Sequence, residues 1–213
     1  MSRLYSPAEA AALSGIGVKA VHNAIDKRIV DTVAGPRPPG RRALTQDSLL
    51  RLKLWYGIGS TLTAGRRQRL FDEIKAAPNA KMVKADDLLI IDVAEARKQL
   101  KARMSDLDEA EAAIGSVKGV MGGEPVFKGT RIPARLVAAM IEQGAEERDI
   151  LDGYPSLKPR MIELAKIWSV AHPARGRPRL MSDYGFKVTS TKRITLKGLD
   201  PRASMRPRAR RSA

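Results

Sequence analysis

Few residues in this chain are equipped for catalysis. There are two histidines, His22 and His172, and no cysteine. A zinc site would need clustered imidazoles or thiolates, which these cannot supply. The carboxylate pairs Asp86-Asp87 and Glu146-Glu147 read as a turn and a solvated helix face, and no Ser-His-Asp or metal-assisted hydrolytic set emerges. A phosphate loop needs Gly, four residues, then Gly-Lys-Ser/Thr. After Gly123 and four residues the chain instead reads Lys128-Gly129-Thr130, with Lys and Gly exchanged, so an anion cradle is not supported. These exclusions predict a non-enzyme with no cofactor and no metal. What remains is polar chemistry suited to phosphates and base edges. Lys19, His22, Asn23, Lys27 and Arg28 fall in one short segment, and Arg37, Arg41 and Arg42 in another. His22 either touches DNA or is simply exposed. His172 ends a helix, where a cation is favourable.

The first set needs a helix to present it. Ser6 as cap, Pro7 at the first position and Glu9 three residues on predict a helix from about Pro7 to Leu13. Ser14-Gly15-Ile16-Gly17 is a turn. Val18, Val21 and Ile25 then recur at helical spacing and predict a second helix from about Val18 to Arg28, with the polar residues on its other faces. Helix, Gly-containing turn, helix is the layout that sends its second helix into a major groove. The Gly- and Pro-rich stretch from Gly35 to Gly40 cannot be helical. The short apolar segments around it predict a two-stranded wing with a basic tip. Thr45 or Asp47 caps a third helix carrying Leu49, Leu50, Leu52, Leu54 and Trp55.

Tyr5-Ser6-Pro7, the Ser14-Gly15 turn, Gly40-Arg41-Arg42 and the helix opening Thr45-Gln46-Asp47-Ser48-Leu49 resemble the winged DNA-binding domain of MerR-type regulators over about Leu4 to Tyr56. The long dimerising helix and sensing cysteine of a metal-responsive member do not follow. Further on, Thr63-Ala64-Gly65 starts a helix from about Gly65 to Ala77, ended by Pro78-Asn79. Two apolar segments around Asp86-Asp87 predict a β-hairpin. Asp92 and Glu95 cap a long helix from about Val93 to Ala113. Its stripe of Val93, Ala96, Leu100, Met104, Leu107 and Ile114 must pack on the hairpin or on a second subunit. Leu100, Met104 and Leu107 are the expected oligomerisation contacts, giving a homodimer or higher oligomer.

Gly122 to Pro133 reads as an extended arm between tight turns, with Val126 and Phe127 as strand formers. Pro133 leads into a helix that Gly144 ends. A short acidic helix follows, then the turn Gly153-Tyr154-Pro155, then a last helix from about Pro159 to Ala171. Gly-Gly-x-Pro-Val-x-x-Gly-Thr-Arg-Ile-Pro, the apolar helix, Gly144, Ile150-Leu151, Tyr154-Pro155 and the trailing His172-Pro173-Ala174-Arg175-Gly176-Arg177-Pro178 resemble the small bacterial family catalogued as domain of unknown function 433. The resemblance spans about Ile114 to Arg179. It implies an antitoxin partnered with a PIN-like nuclease toxin. Spacing alone gives a three-helix module with an N-terminal arm. Its acidic second helix favours protein contact over DNA.

Charge is unevenly placed. The net charge is +16, made of +5 in residues 1–62, +1 in residues 63–172 and +10 in residues 173–213. Two basic ends on a neutral middle predict two anionic contacts, or at the C-terminus merely solvated disorder. The fold class expected is mainly α with small β elements. It comprises a winged helix-turn-helix (1–62), a linker helix, hairpin and long helix (63–113), a trihelical domain (114–172) and a basic disordered tail (173–213). The partners expected are duplex operator DNA and the nuclease, with no membrane and a cytoplasmic location. Arg175, Arg177, Arg179, Lys187, Lys192 and Arg193 are the expected toxin contacts. Residues 187–196 have strand propensity and suit addition to a partner's sheet. The alternatives are that the tail tracks DNA and the trihelical module meets the toxin, that the chain is a DNA-binding protein with no toxin, or, more weakly, that it binds RNA.

Overall fold

The long helix that the stripe predicts is the element on which the others meet. In the computed structural model, which describes residues 3–35 and 42–174, it runs from Val93 to Ala113. Asp92 caps it, accepting from the Glu95 N–H at 3.1 Å. Before it come α1 (Pro7–Ser14), α2 (Val18–Asp26), the ribbon β1 (Val33–Ala34) and β2 (Arg42–Ala43), α3 (Gln46–Leu54) and α4 (Ala64–Ala76). The hairpin β3 (Met82–Asp86) and β4 (Leu89–Asp92) leads directly into the long helix, here α5. After it come β5 (Ile114–Ser116), β6 (Pro125–Phe127), α6 (Ala134–Glu142), α7 (Glu147–Gly153) and α8 (Pro159–Ala171). Among the described residues the fold is mainly helical, with three small antiparallel pairs, β1–β2, β3–β4 and β5–β6.

Two apolar clusters form. The first gathers Leu13 of α1, Val21 of α2, Leu49 and Leu52 of α3, Leu70 of α4 and Val83 of β3 around Leu100 and Leu107. The second gathers Ala110, Ile114, Phe127, Val137, Ile150, Ile162 and Trp168. Ile167 packs against both. α5 therefore supplies one turn after another to each cluster, and α1, α3 and α8 pack along it.

This arrangement corrects the expected oligomer contact. Leu100 is 2 % exposed and Leu107 is fully buried, and Met104 packs against the same cluster. The stripe is covered by α1, α3 and α8 of the same chain. Periodicity reveals that a helix has an apolar face, not which element covers it. Burying a side chain such as Leu107 contributes about 1.5–3 kcal/mol.

Ion pairs fasten the outside of α5. The Arg160 guanidinium on α8 reaches Asp106 at 2.5 Å and Glu109 at 2.6 Å on α5, and Glu163 at 2.9 Å. Hydrogen bonds that it donates to these carboxylates raise its already high pKa further. Arg3 pairs with Glu111 at 2.9 Å and with Asp108, and Arg103 donates to the Ala12 carbonyl at 2.8 Å. That last bond satisfies an orphan carbonyl at the end of α1. It passes close over Gly15, where a Cβ would lie 3.2 Å from the guanidinium.

The chain differs locally from the sequence reading in two places. Ile114 is not the last member of the helical stripe but the first residue of β5, opposite Phe127. The β-branched Ile followed by Gly115 favours leaving the helix. After α3 the chain makes a single π-helical turn, Trp55–Gly59.

Candidate nucleic-acid interface

The α1–α2 pair is built by local signals. Ser6 accepts from the Glu9 N–H at 3.2 Å while the Glu9 carboxylate accepts from the Ser6 N–H at 2.6 Å. This reciprocal cap fixes where α1 begins. Val21, Ala24 and Ile25 bury one side of α2, and the Tyr56 hydroxyl donates to the Ala20 carbonyl at 2.9 Å from the π-helical turn. The opposite side carries Lys19, His22, Asn23, Asp26, Lys27 and Arg28, all exposed.

α2 ends earlier than its sequence suggests. Arg28 lies beyond it at φ +52°, in the left-handed region. The Ile29 N–H donates to the Ala24 carbonyl at 2.8 Å and the Arg28 N–H to the Ile25 carbonyl at 3.0 Å. This is the two-bond helix stop that usually holds glycine at the left-handed position. Here it holds an arginine, at a cost of roughly 1 kcal/mol relative to glycine. A strained, exposed, charged residue at the end of a candidate recognition helix is a functional signal.

The ribbon beside α2 is anchored at its base. Tyr5 and Leu44 exchange backbone hydrogen bonds at 2.9 and 2.8 Å, and Ser48 donates to the Asp31 carbonyl at 2.9 Å. Thr45, not Asp47, caps α3. Arg42 on β2 meets Asp26 of α2 at 2.6 Å, with both side chains more than half exposed. Such a pair contributes at most about 1 kcal/mol, so a phosphate can take the place of Asp26 at little cost. Arg37 and Arg41 lie outside the described residues.

At the other end, β5 pairs with β6 in the register Ile114–Phe127, Gly115–Val126 and Ser116–Pro125. The arm then turns into α6, α7 and α8. Glu146, Glu147, Asp149 and Asp152 in and around α7 are exposed, and Ile150 is its buried anchor. Residues 114–167 match the family model described as "Protein of unknown function (DUF433)". The match begins with β5 and ends within α8.

Two wider likenesses extend beyond that domain. "Uncharacterized protein y4eO" of Sinorhizobium fredii (strain NBRC 101917 / NGR234) is 27% identical over 210 residues, covering 91% of this chain and 94% of the relative. The X-ray crystal structure of Rv2018 from Mycobacterium tuberculosis is 12% identical and covers 76% of this chain and 96% of that one, with a TM-score of 0.31.

The expected site residues thus separate. Lys19, His22, Asn23, Lys27, Arg28 and Arg42 come together on and beside α2. His172 follows α8, its ring stacked on Trp168 at 4.7 Å and its Nε2 3.8 Å from Glu111. Arg175, Arg177, Arg179, Lys187, Lys192 and Arg193 lie outside the described residues. Sequence reasoning missed Tyr56 and Arg103, which brace the helix pair. Neither shows any pattern beyond its own residue type. Among the described residues no group of three or more His, Cys, Asp or Glu is placed to hold a metal ion, and no helix is long and apolar enough to cross a membrane.

Proposed function

We propose that this chain is a DNA-binding antitoxin. In this reading α2 lies in a major groove of operator DNA, and the domain formed by residues 114–174 belongs to the neutralisation of a PIN-like nuclease. The exposed polar face of α2 carries the first half. Asn23 suits an adenine edge, and Lys19, Lys27 and Arg28 suit guanine edges or phosphates. Arg42 and the ribbon reach the backbone beside them. The resemblance of residues 4–56 to the winged DNA-binding domain of MerR-type regulators supports this half. The second half rests on the resemblance of residues 114–179 to the antitoxin-associated family, and the acidic α7 surface is suited to protein rather than to phosphate.

Two measurements on the full chain test the two halves separately. The protein should retard duplex DNA from upstream of its own gene, and Arg42→Ala should lower the salt slope of binding by about one unit. It should also co-purify with the product of the adjacent gene and suppress a ribonuclease activity of that product. DNA binding with no such partner would leave a transcription factor. A partner with no DNA binding would remove the role of α2.

A further inference from the structure

The β3–β4 hairpin turns one face inward and leaves the other bare. Val83, Ala85 and Ile91 are buried, and the alternation of a strand puts Met82, Lys84 and Ile90 on the opposite face. Leu88 stands in the turn, where its N–H donates to Asp86 Oδ1 at 2.9 Å. Leu88 is 93 % exposed, Met82 64 % and Ile90 56 %, which makes them the three most exposed large apolar side chains among the described residues. Gathered on one hairpin, they mark an interaction surface rather than scattered exposure.

The backbone of β4 is open as well. The Val93 N–H donates to the Lys81 carbonyl at 2.8 Å. Bonded pairs alternate along an antiparallel ladder, so Val83 and Ile91 form the next one, and the Ile90 N–H and C=O point to the far side of β4. Among the described residues no backbone group beyond the hairpin bonds them. β3 lies against α4 and carries Lys84, the kind of charge that blunts a sheet edge, whereas the residue opposite it on β4 is Ile90.

We infer that β4 pairs with β4 of a second copy of this chain, antiparallel about a two-fold axis at Ile90. The hairpin is its own complement in that arrangement. Ile90 meets Ile90. Leu88 falls against Asp92 of the other copy, whose own cross-strand neighbour is Met82. The exposed acid Asp87 falls beside Val93 of the other copy, across from which stands the exposed Lys81. Each apolar and each charged match occurs twice by symmetry. The stripe of α5 does not compete for this role, because α1, α3 and α8 cover it within the chain. Under the DNA reading, the pairing supplies the second α2 that a two-fold operator needs.

Sedimentation of the full chain should give twice the protomer mass. Leu88→Lys/Ile90→Lys should give a single protomer with its helical circular dichroism intact, since both side chains are exposed. The absence of cysteine makes a positional test direct. Ile90→Cys should join two copies on mild oxidation, because bonded partners on a two-fold axis have Cα atoms about 5.5 Å apart, within disulfide reach. Lys101→Cys, exposed on α5, should not. No DNA is present in these measurements, so their outcome is independent of the reading of α2. A monomeric full chain, or an Ile90→Cys variant that links no better than Lys101→Cys, would overturn the inference. A double variant that keeps its mass but no longer co-purifies with the adjacent gene's product would make the hairpin a contact for a different protein, and would overturn it too.

Discussion

Among the described residues two short helices, α2 and α7, each follow a glycine-containing turn, and they face their surroundings with different chemistry. α2 exposes Lys19, His22, Asn23 and Asp26, with Lys27 and Arg28 at its end; α7 exposes Glu147, Arg148, Asp149 and Asp152. Both helices bury small apolar faces against their neighbours, Val21, Ala24 and Ile25 in one and Ile150 in the other. The turns before these helices both hold a left-handed glycine, Gly15 at φ +75° and Gly144 at φ +89°, but the stop of α6 and the stop of α2 itself differ. α6 stops at Gly144, φ +89°, by the same pair of hydrogen bonds that stops α2 at Arg28. One stop uses the residue that fits. The other uses a residue that fits poorly but carries charge. The layout of helices alone therefore carries no argument for DNA; the proposed reading of α2 rests on its exposed face and on the left-handed Arg28 at its end.

Removing the common support should affect both regions most. Leu107→Ala deletes a fully buried side chain from α5, next to Ala110 of the second cluster. It should cost about 2–5 kcal/mol. Because α5 serves both clusters, thermal unfolding should remain a single transition at lower temperature. Two resolved transitions, with only the first displaced, would show that the regions fold independently.

The contrast in surface chemistry makes the next prediction. Asn23→Ala should weaken specific DNA binding by about 1–3 kcal/mol, read by fluorescence anisotropy. Glu147→Gln/Asp149→Asn on α7 should leave that affinity within twofold. Equal effects from both would erase the distinction between the two helices.

The two helix stops allow a sharper version. Arg28→Gly should raise stability by roughly 1 kcal/mol while weakening DNA binding. Gly144→Ala should lower stability by about 1–2 kcal/mol through backbone strain alone, since a Cβ there meets nothing within 4 Å. Chemical denaturation of the two variants gives the signs. Loss of stability in Arg28→Gly would mean that the arginine side chain contributes more than its backbone costs.

A smaller effect is expected at the clamp between α5 and α8. Arg160→Ala leaves Asp106, Glu109 and Glu163 without their shared cation. The side chain is 42 % exposed, so solvent screens the cluster and the loss should be about 1 kcal/mol. It should shrink in high salt. A loss independent of salt would assign the role of Arg160 to packing rather than charge.

Much of this fold was legible because its ends are marked locally. Ser6, Thr45, Thr63 and Asp92 accept the cap bonds that start their helices. The spans of α5 and α8 follow from caps, from Pro159 and from apolar spacing. Less was legible where the deciding partner is distant in sequence. Ile114 continues the helical stripe by spacing; Gly115 weakens the helix there, and the pairing with Phe127 completes the strand. Leu100 and Leu107 look unpartnered until α1, α3 and α8 are placed. The candidate recognition face could be read from residue types on one helix, whereas the strain at Arg28 and the open edge at Ile90 required the folded chain.

The central claim is that α2 reads DNA sequence. The direct measurement compares the full chain with Lys19→Gln/Asn23→Ala/Lys27→Gln on the upstream duplex and on a scrambled duplex, at matched salt. All three positions are exposed, so the variant should melt within a few degrees of the parent. The account predicts that discrimination between the two duplexes falls by about a hundredfold or more, leaving weak, salt-sensitive binding to both. A variant that still separates the two duplexes as well as the parent would contradict it.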